Sequence, residues 1–174
     1  CKICGRPLDD RAGSGIVLEI AKKIAAEPVA DDVYYVFSVQ EEVGCRGSKT
    51  AAFAIAPDVS LTFDVTGTGD TAGSKPMAVK LGGGAAIKIK DASVICDSEI
   101  VDKLARIAKE KGINNQLEIL LYGGTDTSSI QMTGSGCRAG AISIPSRYIH
   151  SGVEMIDMND YEACINLALE FIKE

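Results

Sequence analysis

Six side chains in this sequence could do chemistry together: Asp9, Asp10, Glu41, Glu42, Asp64 and His150. Carboxylates joined by an imidazole suit a hard or borderline divalent cation, because oxygen and neutral imidazole are the usual ligands of zinc, cobalt and manganese. Two such cations bridged by one carboxylate can hold a water and lower its pKa to about 7. A carboxylate left free of metal beside that water would serve as general base. The adjacent pair Glu41 and Glu42 allows that division of labour, since beyond a strand end the pleat no longer sends neighbours to opposite faces. Each feature also has a plainer reading. Adjacent acids are commonly a solvated loop, Asp9-Asp10 could be a helix cap, and a single histidine is more often structural than a ligand.

The elements that must position these groups are legible from periodicity. Ile16, Val17, Ile20 and Ile24 fall on one stripe and predict a helix over 13–26. Val33 to Val39 is β-branched and aromatic and reads as a buried strand. A short helix is expected over 47–56 and a second strand over 59–65. The Gly67 to Gly73 loop follows, then a weakly alternating edge strand over 81–90. Ser98 to Lys111 reads as a helix stopped by Gly112. Gln116 to Leu121 reads as a strand, Thr125 to Thr133 as a short helix, and Ala139 to Ile144 as a strand ended by Pro145. Asp157 to Lys173 closes as an amphipathic helix capped by Asp157 or Asn159. Strands alternating with helices imply crossover units and a largely parallel sheet covered on both faces, in one α/β domain spanning 1–174. Such sheets bind ligands beyond the carboxyl ends of their strands. Glu41-Glu42, Asp64, the Gly123 to Asp126 loop and His150 all follow strands, so the acids and the histidine are expected on one edge.

Composition excludes other classes. A net charge of −6 and a pI near 4.9 argue against nucleic acid as a partner, because binding phosphates needs a basic face. No apolar run is long enough to be read as a membrane span. The six cysteines, Cys1, Cys4, Cys45, Cys96, Cys137 and Cys164, are scattered in apolar segments and read as reduced thiols of a cytoplasmic protein. Because the chain starts at Cys1 and enters a motif within eight residues, it is expected to be a fragment of a longer parent.

Five ordered motifs carry a resemblance: Leu8-Asp-Asp-Arg-Ala-Gly13, Val39-Gln-Glu-Glu-Val-Gly44, Phe63-Asp-Val-Thr66, Gly123-Gly-Thr-Asp126 and Ser146-Arg-Tyr-Ile-His-Ser151. Together they resemble the signatures of the tetrahedral aminopeptidases, often called glutamyl aminopeptidases and sometimes mislabelled endoglucanases or cellulases. The resemblance covers nearly the whole chain. It implies a three-layer α/β sandwich of the zinc-exopeptidase, phosphorylase/hydrolase-like kind with a mostly parallel central sheet. It also implies a two-metal aminopeptidase using zinc or cobalt. Asp9 would bridge both metals, Glu42 and His150 would complete one site, and Asp64 would serve the other. Glu41 would be the general base, Asp10 would help set the geometry at its turn, and Gly124 and Thr125 would contact substrate. The parent would be a large homo-oligomer, a dodecamer.

The chain also departs from the family. The second metal normally takes a further histidine from an upstream segment, and a small β-rich domain used for dimer contacts lies between that segment and the Asp-Asp motif. Both are missing, so the Asp64 site is expected to be one ligand short, and this fragment is expected to turn over little peptide alone. Three other features read plainly. Cys1-Lys-Ile-Cys4 has zinc-knuckle spacing without a second pair. Gly82-Gly83-Gly84 and the Gly67 to Gly73 loop are turns without a nucleotide-loop context. Arg147 contacts a substrate carboxylate or orients an acid, the second being preferred. A glycoside hydrolase, the other enzyme reading, needs two carboxylates flanking a sugar and usually aromatic platforms. With no Trp and 5% aromatic residues, the chain supports it poorly.

Overall fold

The first helix, α1 (Arg11–Ala26), follows from Ile16, Ile20 and Ile24 sharing one stripe; all three are buried in a computed structural model that describes residues 1–174. Asp10 caps it by accepting from the Gly13 N–H at 2.9 Å. A Cβ at position 13 would lie 2.3 Å from the Asp10 carboxylate, so glycine lets this cap close. A second helix, α2 (Arg46–Ile55), follows a tight turn. Next, α3 (Ser98–Lys111) starts on Asp97, whose carboxylate accepts from Glu99 and Ile100, and stops at Gly112 in the left-handed region. Helix α4 (Asp126–Gln131) is short, and α5 (Met158–Lys173) is capped by Asp157, which accepts from the Asn159 N–H.

Six strands, β1 (Lys2–Gly5), β2 (Val59–Gly67), β3 (Ala85–Lys90), β4 (Asn115–Ile119), β5 (Arg138–Arg147) and β6 (Glu154–Asp157), form one sheet. β2 runs parallel to β5 along its length, while β3 and β6 meet β5 antiparallel. Beyond them, β4 pairs parallel with β3 and β1 antiparallel with β6. The layered α/β class is as expected from the sequence, but the sheet is mixed rather than mostly parallel. The link from β5 to β6 is too short for a parallel return, and the link from β2 to β3 carries no helix, the usual crossover element. The 81–90 segment is an inner strand between β5 and β4, not an edge. β5 continues through Pro145, which falls between the residues paired to β3 and those paired to β6, a gap where a missing N–H is tolerated. Strands β1 and β6 lie outside the periodicity reading.

Alternate residues divide the sheet into two faces. Phe63, Val65, Ile87, Ile142 and Ile144 join Ile16, Ile20, Leu104, Ile107 and Leu167 of α1, α3 and α5 in the main core. The other face carries buried polar groups, Asp64, Lys88, Glu118 and Ser143 among them. Helix α2 packs on α4, which lies against β2 and β5.

Residues 33–39 depart from expectation. They are extended but form no ladder, and Tyr34, Phe37 and Val39 are 64%, 55% and 67% exposed. Of this run, Tyr35 packs against the main core. An apolar, β-branched run becomes a strand only where a partner edge meets it, and β2 offers its ladder to β5 alone.

Candidate metal centre

Three turns and one strand end bring the chemical groups to one edge of the sheet. Asp9 precedes α1, across a cis peptide from Asp10. Glu41 and Glu42 sit in the turn before α2, and Asp64 lies near the carboxyl end of β2. His150 stands in the loop after β5 with φ of 61°, a left-handed value that non-glycine residues seldom adopt. Its Nε2 lies 2.9 Å from Asp9 Oδ2 and 3.2 Å from Glu42 Oε1. The ligand atoms of Asp9, Glu42 and His150 all fall within 4.8 Å of one another.

The charges explain why a cation suits this place. Burial pushes the Asp9 carboxyl up, the Glu42 charge adds to that, and His150 opposes it. Asp10 is pushed up to about 8, chiefly by burial, against the Gly13 N–H that favours its ionised form. Burial also holds Asp64 well above the usual carboxylate range, with Asp10, Glu41 and Asp9 adding their charges. Glu41 is raised by burial and then by Asp126. Several crowded carboxylates with one imidazole between them are relieved by a divalent cation, and an imidazole with two carboxylates and an open side is a zinc-type donor set. Asp64 belongs to no group of three converging ligands, whereas Glu41 converges with Cys45 and Asp126. The Cys45 thiol donates to Glu41 Oε1 at 3.6 Å, and burial, then the Glu41 charge, pushes its pKa up to about 12, so it stays protonated.

Sequence reasoning missed Glu154. This residue, 2% exposed, accepts from the backbone N–H groups of Leu8 (2.6 Å) and Asp9 (2.9 Å) through Oε2, and from that of His150 (3.0 Å) through Oε1. It therefore holds the turns that carry Asp9 and His150 together. The available signal was an acid inside the apolar run Val153-Glu-Met-Ile156.

The Gly123 to Asp126 loop divides into an exposed half and a buried half. Gly124 is exposed, with its Cα side against Ser93, but Thr125 is 3% exposed and its hydroxyl is used on Thr127 at 2.9 Å. Asp126, next in line, is the member that reaches Glu41. Arg147 forms a two-pronged pair with Asp70, at 3.1 and 2.8 Å, which holds that carboxyl well below its usual range. The orienting role is the one it fills. The Gly82 and Gly84 N–H groups hold the Asp160 carboxylate at 2.7 Å each, as a turn would. Cys1 and Cys4 are both free thiols.

A layered α/β sheet presenting this donor set beside a glutamate places the chain among the peptidases of the zinc-exopeptidase-like fold. The chain belongs to the M42 glutamyl aminopeptidase family, whose profile matches residues 1–167. A protein of Acetivibrio thermocellus, provisionally described as an aminopeptidase, is 49% identical over 170 residues, 98% of this chain and 51% of its own. The aminopeptidase APDkam598 from the archaeon Desulfurococcus kamchatkensis superposes with a TM-score of 0.95 at 41% identity, over 99% of this chain and 49% of that one. The Pyrococcus horikoshii TET1 peptidase, described as assembling into a tetrahedron or a large octahedral shell, gives 0.87 at 32% identity over 99% and 50%. The chain thus spans about half the length of the relatives it matches.

Proposed function

We propose that this chain forms the catalytic α/β domain, residues 1–174, of a metal-dependent aminopeptidase that removes N-terminal residues from peptides. The observation that carries the reading is His150 Nε2 lying within 3.2 Å of both Asp9 and Glu42, next to a glutamate held apart from them. Family membership supports it independently. Asp9, Glu42 and His150 would hold one divalent ion, and Asp64, with Asp9 as the shared carboxylate, would serve a second. Zinc or cobalt bound there supplies Lewis acidity that polarises the scissile carbonyl and lowers the pKa of water to about 7. Glu41 takes the proton of the attacking water and returns it to the leaving amine. Its raised affinity for protons suits that shuttle. The exposed backbone at Gly123-Gly124 is the part of its loop available to a peptide, since Thr125 points inward.

Zinc- or cobalt-dependent cleavage of aminoacyl-4-nitroanilides tests this, with Glu41→Gln expected to abolish turnover. Activity that survives Glu41→Gln would overturn the base assignment. A second reading has its own support: Asp64 lacks two converging partners, so residues 1–174 by themselves would bind a second ion weakly and hydrolyse peptides poorly. Two tight zinc sites in a calorimetric titration of the chain would refute that. Metal-independent release of sugar from a β-glucan would instead revive the glycosidase reading.

For the whole protein we propose a homo-oligomer of the dodecameric kind, on the strength of a similar structure described as a dodecamer and of the relative that assembles into a tetrahedron. A reducing, cytoplasmic setting fits six free cysteines. The acidic balance argues against nucleic acid as a partner, and no helix is long and apolar enough to cross a membrane.

A further inference from the structure

Glu41 and Glu42 stand on a loop whose tip is a turn, with the Gly44 and Cys45 N–H groups both donating to the Glu41 carbonyl at 2.9 Å. Its stems meet where the Gly47 N–H donates to the Val39 carbonyl at 2.9 Å and Arg46 N–H to Gln40 at 3.3 Å. Glycine at 47 permits that approach, since a Cβ there would lie 2.5 Å from the Val39 nitrogen. Between the stems, Gln40, Gly44 and Cys45 all have positive φ, and Gln40 and Cys45 carry side chains that disfavour it. Val39 and Val43 are exposed, so the loop has no apolar anchor. Such a backbone persists only when its surroundings determine it.

Among those surroundings, one buried carboxylate reaches both ends of the loop. Asp126, the first residue of α4, is nearly buried at 9% exposure. Its Oδ2 accepts from the Ser38 hydroxyl, just before the loop, and its Oδ1 from the Ser48 hydroxyl at 2.6 Å, just after it. Ser129 of α4 stands 2.7 Å from the same Ser48 oxygen. A single group therefore grips both stems, and one of its oxygens lies within 4.8 Å of a Glu41 carboxylate oxygen and of the Cys45 sulfur. An aspartate suits this because each of its oxygens can accept, whereas an asparagine offers one acceptor and a competing donor.

We infer that Asp126 is a positioning residue that braces the 39–47 loop and thereby sets Glu41 and Glu42 against Asp9 and His150, an inference that rests on the roles proposed for those residues. The brace acts through the loop, and Asp126 lies outside the trio of Asp9, Glu42 and His150. Its loss frees Glu42 to leave His150 while Asp9 stays in place.

The test titrates the 174-residue chain with zinc and follows amide exchange over residues 39–47, for the wild type, Asp126→Asn, Ser38→Ala and Ser38→Thr. Removing a residue that orients metal ligands typically costs about 10- to 100-fold in affinity. Asp126→Asn and Ser38→Ala are expected to weaken zinc binding by that range and to speed exchange in 39–47, with exchange in β5 unchanged. Ser38→Thr, which keeps the hydroxyl, is expected to restore both. Wild-type zinc affinity together with unchanged loop exchange in Asp126→Asn and Ser38→Ala would overturn the brace. If the wild-type chain takes up no zinc, the metal reading fails and loop exchange still decides the brace. If Asp126→Asn does not fold, the two Ser38 variants carry the test.

Discussion

Asp9 and His150 face each other at 2.9 Å, Oδ2 to Nε2, and the buried carboxylate of Glu154 accepts from the backbone N–H of each. Two turns from opposite ends of the chain are thereby held in register by one side chain that lies outside the converging trio. This makes the geometry of the ligands depend on a residue in β6. Glu154→Gln leaves one oxygen to serve three donors, so at least one part-buried N–H loses its partner, at a cost toward the lower end of about 1–3 kcal/mol. Zinc affinity should fall about 10- to 100-fold, as for other groups that orient ligands. Urea unfolding and zinc titration check both effects, and a variant equal to the wild type in each would remove Glu154 from the site.

The converging trio and the isolated Asp64 predict unequal metal binding. Calorimetric titration of the 174-residue chain should show one tight zinc site. His150→Ala should abolish it, because two carboxylates alone make a poor zinc site. Asp64→Asn should leave its affinity unchanged, since Asp64 stands outside the trio. Equal losses in the two variants would mean that both residues bind the same ion.

Asp10 makes a pH prediction for the metal-free chain. Its folded pKa of about 8 lies above the ordinary aspartate value of about 3.9, so the folded state keeps a proton that the unfolded state has lost. The stability from that proton is fully present below about pH 4 and is lost as pH rises through about 8. Asp10→Asn removes the ionisation but keeps the cap on Gly13, because asparagine caps helices as well as aspartate does. With chelator present, its melting temperature should exceed the wild type's at pH 8, with the margin shrinking toward pH 4.5. A margin that does not vary with pH would count against the assignment.

On the polar face of the sheet, Lys88 is fully buried against Glu118, with Asp91 3.7 Å away. Glu118 also accepts from the Thr66 hydroxyl at 2.8 Å. Lys88→Met leaves two buried carboxylates without their cation, and breaking a buried pair from one side costs about 3–5 kcal/mol. The double variant Lys88→Met/Glu118→Leu should recover much of that loss in urea unfolding. A single variant as stable as the wild type would show that the ion pair contributes little here.

The helices were readable because their signals are local. The Ile16, Ile20 and Ile24 stripe, the Asp10 and Asp157 caps and the Gly112 stop each lie within one turn or two of the structure they determine. The strands were less readable. Val33 to Val39 has every local mark of a buried strand and is mostly exposed, because no paired edge reaches it. β1 and β6 have too few residues for a period to show, yet they pair with each other. Pro145 was read as a stop and is not one, since the gap in the ladder that accommodates it depends on where β3 and β6 end.

By itself the sequence determined the inventory: which carboxylates and which imidazole exist, that they follow strands or precede a helix, and that their order resembles one peptidase family. Residue type and spacing along the chain suffice for that. Only the tertiary structure decided which of them meet. That His150 points at Asp9 and Glu42 while Asp64 stands apart, that Glu154 ties the two turns and that Asp126 grips the Glu41 loop all depend on contacts between residues far apart in the chain. Those contacts arise from strand pairing and burial, which no local pattern encodes.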